Sequence, residues 1–323
     1  IKAGTMDYHF TKGNFTESEL EKAIIELFKQ QGYTYLRGDE IHRPFQDVLL
    51  YDELKAFLLS RYPDLTQSEL SKIISRLDNI PSSPLYEGNR DTYRLISEGF
   101  DFVREDASKI GIHIRFIDFN NVDNNSFKVV NQFIVEDGHT RIPDMLIFIN
   151  GIPVGIFEFK SAIDEGKTVH NAWEQITIRY ARDIPALLKY TALSVICDGA
   201  NTRLGTIFTP YEFYYAWNKA NEQDTVANGI SSLFTMVEGA FAKDRFLSIL
   251  RDFIFYPDDS KKEEAIICRY PQFFAANKML ANIKAHKQPE GDGKGGIYFG
   301  ATGCGKTYTM LFLSRLLMLR DRD

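Results

Sequence analysis

The sequence predicts an α/β chain: a mixed sheet of four or five strands flanked by helices, followed by a second unit built on a phosphate-binding loop. Three observations predict it. Across residues 112–159, apolar runs alternate with turn-forming residues, the pattern of strands. On either side, apolar residues recur three and four apart, the helical period. Near the C-terminal end, residues 295–299 read as the entry to a buried strand, 300–307 as a Gly-rich loop and 308–319 as a helix.

Composition bounds the function. With 323 residues, 44% of them hydrophobic, the chain can fill a large core and is expected to form two domains. Its three cysteines, Cys197, Cys268 and Cys304, are far apart and show no metal spacing, which predicts a reducing compartment without a disulfide framework. No signal peptide or long apolar span is read, so the expectation is a soluble, cytoplasmic protein with no membrane contact. A net charge of −6 counts against a generally basic nucleic-acid binder, so any DNA contact must be local or shared with a basic partner. His113, His139 and His170 show no ligand spacing and are given no metal role.

Thr16 and Glu19 form a capping box ahead of a first helix, whose buried face is Leu20, Ile24, Leu27 and Phe28 and whose end is Gly32. Glu21 stands at the margin of that face, either as a solvated acid or as a third carboxylate reaching a site nearby. Residues 33–36 form a short strand. Helices follow at 47–59 and, behind a second capping box at Thr66 and Glu69, at 69–77. A loop at 79–84 precedes a helix at 90–99. Strands are expected at 112–119 and 127–135, linked by the turn-rich 120–125. After the loop containing Asp164-Glu165-Gly166, residues 170–182 form a helix with Trp173 and Ile176 inward, and 192–197 a further strand. The aromatic run 211–217 reads as core. From Asn221 the character changes: helices at 230–237 and 241–253, then a polar stretch at 256–262, suit a linker between domains.

The chemistry concentrates between Pro143 and Lys160. Two apolar strands, 145–149 and 154–159, flank Asn150-Gly151, a pair that tolerates the positive φ of a hairpin turn. The hairpin brings Asp144 back beside Glu158 and Lys160, which share one face of the second strand while Phe157 and Phe159 share the other. One reading is a polar strand edge with an ordinary ion pair. The other is a metal-dependent site: hard carboxylate oxygens from Asp144 and Glu158 suit Mg²⁺, and Lys160 could orient a water or offset charge on a phosphodiester.

Gly300-Ala301-Thr302-Gly303-Cys304-Gly305-Lys306-Thr307 matches the Walker A pattern in full. Its backbone N–H groups would surround ATP phosphates, Lys306 would meet the β- and γ-phosphates and Thr307 would bind Mg²⁺. The chain reaches Asp323 soon after the helix that follows, with no acidic second motif. It is therefore expected to be a piece of a longer motor, which alone binds nucleotide weakly and hydrolyses it inefficiently.

Asn131-Gln132-Phe133, Arg141-Ile142-Pro143-Asp144, Phe148-Ile149-Asn150-Gly151-Ile152-Pro153 and Phe157-Glu158-Phe159-Lys160, in this order ahead of a Walker A loop, resemble the N-terminal nuclease region of the type I restriction enzyme R subunit (HsdR). The resemblance covers nearly the whole chain. It implies a restriction-endonuclease-like PD-(D/E)xK nuclease domain at 1–222, a helical linker at 223–262 and the start of a RecA-like superfamily 2 translocase domain at 263–323. It implies that Asp144 and Glu158 bind Mg²⁺, that Lys160 assists catalysis and that Glu21 completes the site. Gln175 and Tyr180 resemble the family's Gln-x-x-x-Tyr element, one residue too long. Five residues carry an α-helix well past a full turn, so Tyr180 is not expected to align with Gln175. Gln272 is placed like the adenine-recognising glutamine of superfamily 2 helicases, or is a loop residue. The implied partners are double-stranded DNA and the modification (methyltransferase) and specificity subunits, with ATP driving translocation. The alternative is a helicase-like DNA-dependent ATPase whose N-terminal domain is an inactive docking module. The two differ on whether Asp144, Glu158 and Lys160 converge and bind metal.

Overall fold

The structure is a computed structural model describing residues 16–160, 168–257 and 262–320. The Asp164-Glu165-Gly166 loop and the stretch from Asp258 to Lys261 lie outside the described residues. The centre is a six-stranded mixed sheet whose strands lie in chain order: β1 (Thr34–Arg37), β2 (Phe127–Asn131), β3 (Met145–Ile149), β4 (Ile152–Phe159), β5 (Leu193–Cys197) and β6 (Thr202–Gly205). β1 runs parallel to β2 and β4 parallel to β5; the remaining neighbours are antiparallel. The sheet has one strand more than the sequence predicts, β6 being too short and polar to be read as one.

β3 and β4 form its middle, and every residue of both is buried. They are apolar because both faces are covered. Their hairpin turns on Asn150 and Gly151, with φ of 50° and 82°, as the sequence predicts. Asn150 also braces its surroundings: its amide donates to the Phe116 carbonyl (3.0 Å) and to Asn125 Oδ1 (2.9 Å). A Cβ on Gly151 would come within 2.4 Å of the Leu50 carbonyl, so the site admits only glycine. β4 begins two residues earlier than expected, taking in Pro153. Ile149 pairs with Ile152 and Phe148 with Pro153, but Ile147 pairs with Gly155, leaving Val154 as the extra residue of a bulge. A proline that cannot donate to the ladder is tolerated at such a place.

The expected strand at 112–119 shortens to Ile112–Ile114, paired with Phe100–Phe102 outside the main sheet. Beyond it the carbonyls of Phe116 and Asp118 accept from the side chains of Asn150 and Asn125 instead of from a neighbouring strand. The expected strand at 127–135 ends at Asn131, where Gln132 adopts φ 52°. The chain then forms a small hairpin of Val135–Asp137 with His139–Arg141 that leads into β3.

Helix α1 (Glu17–Gln30) has the predicted capping box, with Thr16 Oγ1 accepting from the Glu19 N–H at 3.2 Å. Helices α2 (Tyr51–Arg61), α3 (Gln67–Asp78, with its own capping box) and α4 (Leu85–Glu98) follow. α5 (Val169–Glu174) continues through a π-helical turn, Gln175–Tyr180, into Ala181–Asp183. In the stretch expected to be a linker, α6 (Ser231–Ala240) and α7 (Lys243–Asp252) pack onto the core: the Phe241 ring, just after α6, lies 5.8 Å from Phe28 of α1 and 5.0 Å from Phe157 of β4.

At the C-terminal end, α8 (Tyr270–His286) and α9 (Lys306–Arg320) pack together, with Phe312 5.3 Å from Phe253. The strand expected at 295–299 is not formed. Ile297 and Phe299 are 98% and 91% exposed, and among the described residues no strand lies beside them to complete a ladder. No helix among the described residues is long and apolar enough to cross a membrane.

Candidate active site

The sheet register brings four strand ends to one edge. Arg37 pairs with Asn131, Asn131 with Met145 and Met145 with Phe157. The edge therefore gathers Asn131, Asp144, Glu158 and Lys160, and α1 lays Glu21 across it. Asp144 sits one residue ahead of β3, where its Oδ2 accepts the Phe159 N–H at 2.7 Å. Glu158 is fully buried. Lys160 Nζ donates to Glu158 Oε1 at 2.7 Å and to the Phe159 carbonyl at 2.9 Å. The Lys160 backbone N–H donates to Cys197 of β5 at 2.8 Å, which fixes the end of β4. Asp144, Glu158 and Lys160 thus converge as the sequence predicts.

Burying these acids perturbs them. Burial pushes the Asp144 carboxyl up to about 6, helped by the nearby charges of Glu17 and Glu21 and opposed by the Phe159 N–H and Lys160. Burial, then repulsion from Asp144, pushes Glu158 up to about 8 against the pull of Lys160. A buried and a half-buried carboxylate, both at a raised proton affinity, are the arrangement a functional site creates.

Glu21 is brought to the site and held there. Asn131, at the end of β2, donates to its Oε1, and Tyr35 donates to Asn131 Oδ1 at 3.0 Å. Sequence reasoning identifies Glu21 but misses Tyr35 and Glu17 and gives Asn131 no role. The available signal is position: a polar residue ending an apolar strand one pairing away from Asp144.

The expectation for Tyr180 is corrected. The α-helical argument sets it out of line with Gln175, but this stretch is a π-helix, in which i and i+5 meet. Gln175 Nε2 donates to the Tyr180 hydroxyl at 2.8 Å, and that hydroxyl donates to Glu158 Oε2 at 3.2 Å. Burial and Glu158 push the phenol up, so it remains a donor. The extra residue is absorbed by the backbone, and both side chains reach the site.

Asp144 and Glu158 supply hard oxygen donors of the kind Mg²⁺ takes. The two carboxyls repel one another, and the Lys160 ammonium already lies against one of the Glu158 oxygens. Among the described residues, no three His, Cys, Asp or Glu side chains are grouped to hold an ion.

A second constellation lies at residues 300–307. Gly303 and Gly305 have φ of 80° and 82°, and α9 starts at Lys306. Lys306 Nζ donates to the loop's own carbonyls, Gly300 at 2.8 Å and Ala301 at 2.9 Å. Thr302 and Thr307 are exposed, and Cys304 is half-buried. Gln272 is buried, accepts the Arg269 N–H at 2.9 Å and donates to the Gly305 carbonyl at 3.2 Å. It therefore stands against this loop, 33 residues away in sequence.

Residues 14–213 match the family model of the type I restriction enzyme R protein N terminus. The chain is 29% identical to the protein assigned as the type I restriction enzyme MjaIXP endonuclease subunit of Methanocaldococcus jannaschii, over 92% of this chain and 31% of that protein. It is 24% identical to the type I restriction enzyme HindI endonuclease subunit of Haemophilus influenzae, over 94% of this chain and 30% of that protein. The chain spans less than a third of the length of these relatives. With the family match covering most of the chain and coinciding with the sheet that carries Asp144, Glu158 and Lys160, the chain belongs to the type I restriction enzyme R proteins and corresponds to their N-terminal region.

Proposed function

We propose that this chain carries the Mg²⁺-dependent phosphodiester-cleaving site of a type I restriction enzyme, acting on double-stranded DNA. One observation carries the reading: the convergence of Asp144, Glu158 and Lys160 at the mouth of the β3–β4 hairpin, with Glu158 buried, Asp144 half-buried and both carboxyls raised in proton affinity. Asp144 and Glu158 would hold Mg²⁺, which when bound lowers the pKa of water and offsets charge on the phosphate. Lys160 offers an ammonium beside Glu158 for the negative charge that develops as the bond breaks. Tyr180 and Gln175 hold the far oxygen of Glu158 through the chain of two hydrogen bonds, and Glu21 adds a third carboxylate behind Asn131.

The 300–307 loop supports a second part of the proposal: ATP binding by Thr302, Gly303, Cys304, Gly305, Lys306 and Thr307, with Gln272 beside them for the adenine, at the start of a RecA-like translocase. The longer relatives leave room for the rest of such a motor. In that holoenzyme, in the cytoplasm, specificity and modification subunits would select the DNA and ATP would drive its translocation.

The test is cleavage of supercoiled plasmid by the complete R subunit with its partner subunits, ATP and Mg²⁺, comparing wild type with Asp144→Ala and Lys160→Ala while ATP hydrolysis is followed in the same reaction. Loss of cutting with hydrolysis retained supports the site. Wild-type cutting by both variants would show that residues 143–160 are not catalytic and that the domain is a docking module.

A further inference from the structure

Beyond Tyr180, the helix that carries Gln175 ends in a cluster the cleavage chemistry does not use. Asp183 is fully buried. Its carboxylate accepts from Arg141 Nε at 2.9 Å and ion-pairs with Arg141 Nη2 at 2.6 Å. It also accepts from Arg182 Nε at 2.7 Å and Nη2 at 3.1 Å, and His139 Nδ1 lies 3.5 Å away. The two guanidiniums hold this acid well below the usual carboxylate range.

A structural staple between the 139–141 hairpin and this helix needs one arginine. Here there are two, and neither is consumed: the Arg141 side chain is 36% exposed and that of Arg182 66%. Arg179, nearby on the same helix, is exposed as well. The two guanidiniums on Asp183 leave one positive charge there in a chain whose net charge is −6, and the nearby Asp137 carboxylate is turned to the Ala186 N–H at 2.8 Å. Arginine held by a buried acid presents its remaining N–H groups in a fixed direction, the form suited to a phosphate.

The cluster is tied to the candidate active site from both sides. Arg141 stands three residues before Asp144, so their Cα atoms are at most about 11 Å apart. Asp183 stands three residues after Tyr180, about one helical turn. That is the reach from one phosphate of a DNA strand to those just beyond it.

We propose that Arg141 and Arg182, held by Asp183, form a binding site for a backbone phosphate of DNA beside the scissile one, a position that rests on the nuclease reading above. The site reads no sequence. It fixes the strand against the Asp144–Glu158 edge and supplies, locally, the positive charge the chain as a whole lacks.

The test is DNA binding by the full-length subunit to a short duplex in EDTA, followed by fluorescence anisotropy across a salt series. Arg182→Gln is the variant, because its side chain lies mostly in solvent and Arg141 keeps the staple. Lys55→Gln is the control, an exposed lysine of α2 at the opposite, Gly151 end of the sheet. Arg182→Gln should weaken binding severalfold and lower the slope of log K against log[salt] by about one. Arg182→Lys, which keeps the charge, should keep most of the slope, and the control should match wild type. A wild-type slope in Arg182→Gln, or an equal fall in the control, overturns the site. The nuclease reading is judged separately: if Asp144→Ala still cuts while Arg182→Gln loses its phosphate contact, the phosphate site stands and the cleavage assignment falls.

Discussion

Replacing Asp144 by Asn should make the metal-free protein more stable at neutral pH while abolishing cleavage. Asn keeps an oxygen to accept the Phe159 N–H, so the local hydrogen bond survives. What disappears is a half-buried carboxylate whose proton affinity the fold has raised from 3.8 to about 6. At 1.36 kcal/mol per unit this is about 3 kcal/mol, and relaxation around the charge reduces it to about 1–3 kcal/mol. The sign follows from linkage: the folded state binds this proton more tightly than the unfolded chain, so the destabilisation is absent below about pH 4 and complete above about pH 6. Relief of Glu158, which Asp144 also pushes up, adds to the gain. Urea unfolding in EDTA should give nearly equal stabilities for the two proteins at about pH 3.5 and a gap of about 1–3 kcal/mol in favour of the Asp144→Asn variant at about pH 7.5. Added Mg²⁺ should narrow the gap by stabilising wild type alone. A variant no more stable than wild type at neutral pH, or a gap that ignores pH, would refute the account of a strained carboxylate pair.

Three further outcomes can be checked. Lys160→Ala in the complete R subunit should lower plasmid cleavage about 10²-fold or more while leaving ATP hydrolysis intact, as expected when a positive group beside developing charge is removed. Deleting Ile178, which is 53% exposed within the π-turn, should convert it to ordinary α-helix, keep Gln175 and Tyr180 aligned at four residues and preserve cleavage; deleting Ala172 from the same helix, in its α-helical part, should abolish it. Lys306→Ala should abolish ATP hydrolysis in the holoenzyme, and with it ATP-dependent cleavage, without changing the pH-dependent stability of the Asp144→Asn protein; retained hydrolysis would remove the 300–307 loop from the nucleotide site.

The parts legible in the sequence are those set by local chemistry. Both capping boxes, the Asn-Gly hairpin and the meeting of Asp144 with Glu158 and Lys160 follow from residue type and spacing, and the structure has them. The parts that are not legible depend on distant partners. Asn131 gains its meaning from Glu21, 110 residues away. The strand expected at 112–119 yields because side-chain amides satisfy its carbonyls, a competition no periodicity reveals. The strand expected at 295–299 has the apolar content of a strand, but pairing requires a neighbour. Tyr180 escapes a reading that holds helix geometry fixed, because one residue of surplus can be stored in a π-turn.

The bulge at Val154 sets which side chains meet at the far edge of the sheet. Next to the turn, paired residue numbers add to a constant, as in Ile149 with Ile152; past Val154 that constant rises by one, as in Met145 with Phe157. Carried one step outward, the shifted register sets Asp144 across from Glu158. If the ladder took Val154 in instead, with the chain unchanged in length, Asp144 would face Phe157 and Glu158 would fall on the opposite side of the sheet from it. Deleting Val154 would let the Phe148–Pro153 pair run straight on to Ile147–Gly155, and the two acids would still meet. Two hairpins with the same acids, the same turn and the same length therefore differ at this edge according to whether one residue near the turn stands outside the ladder.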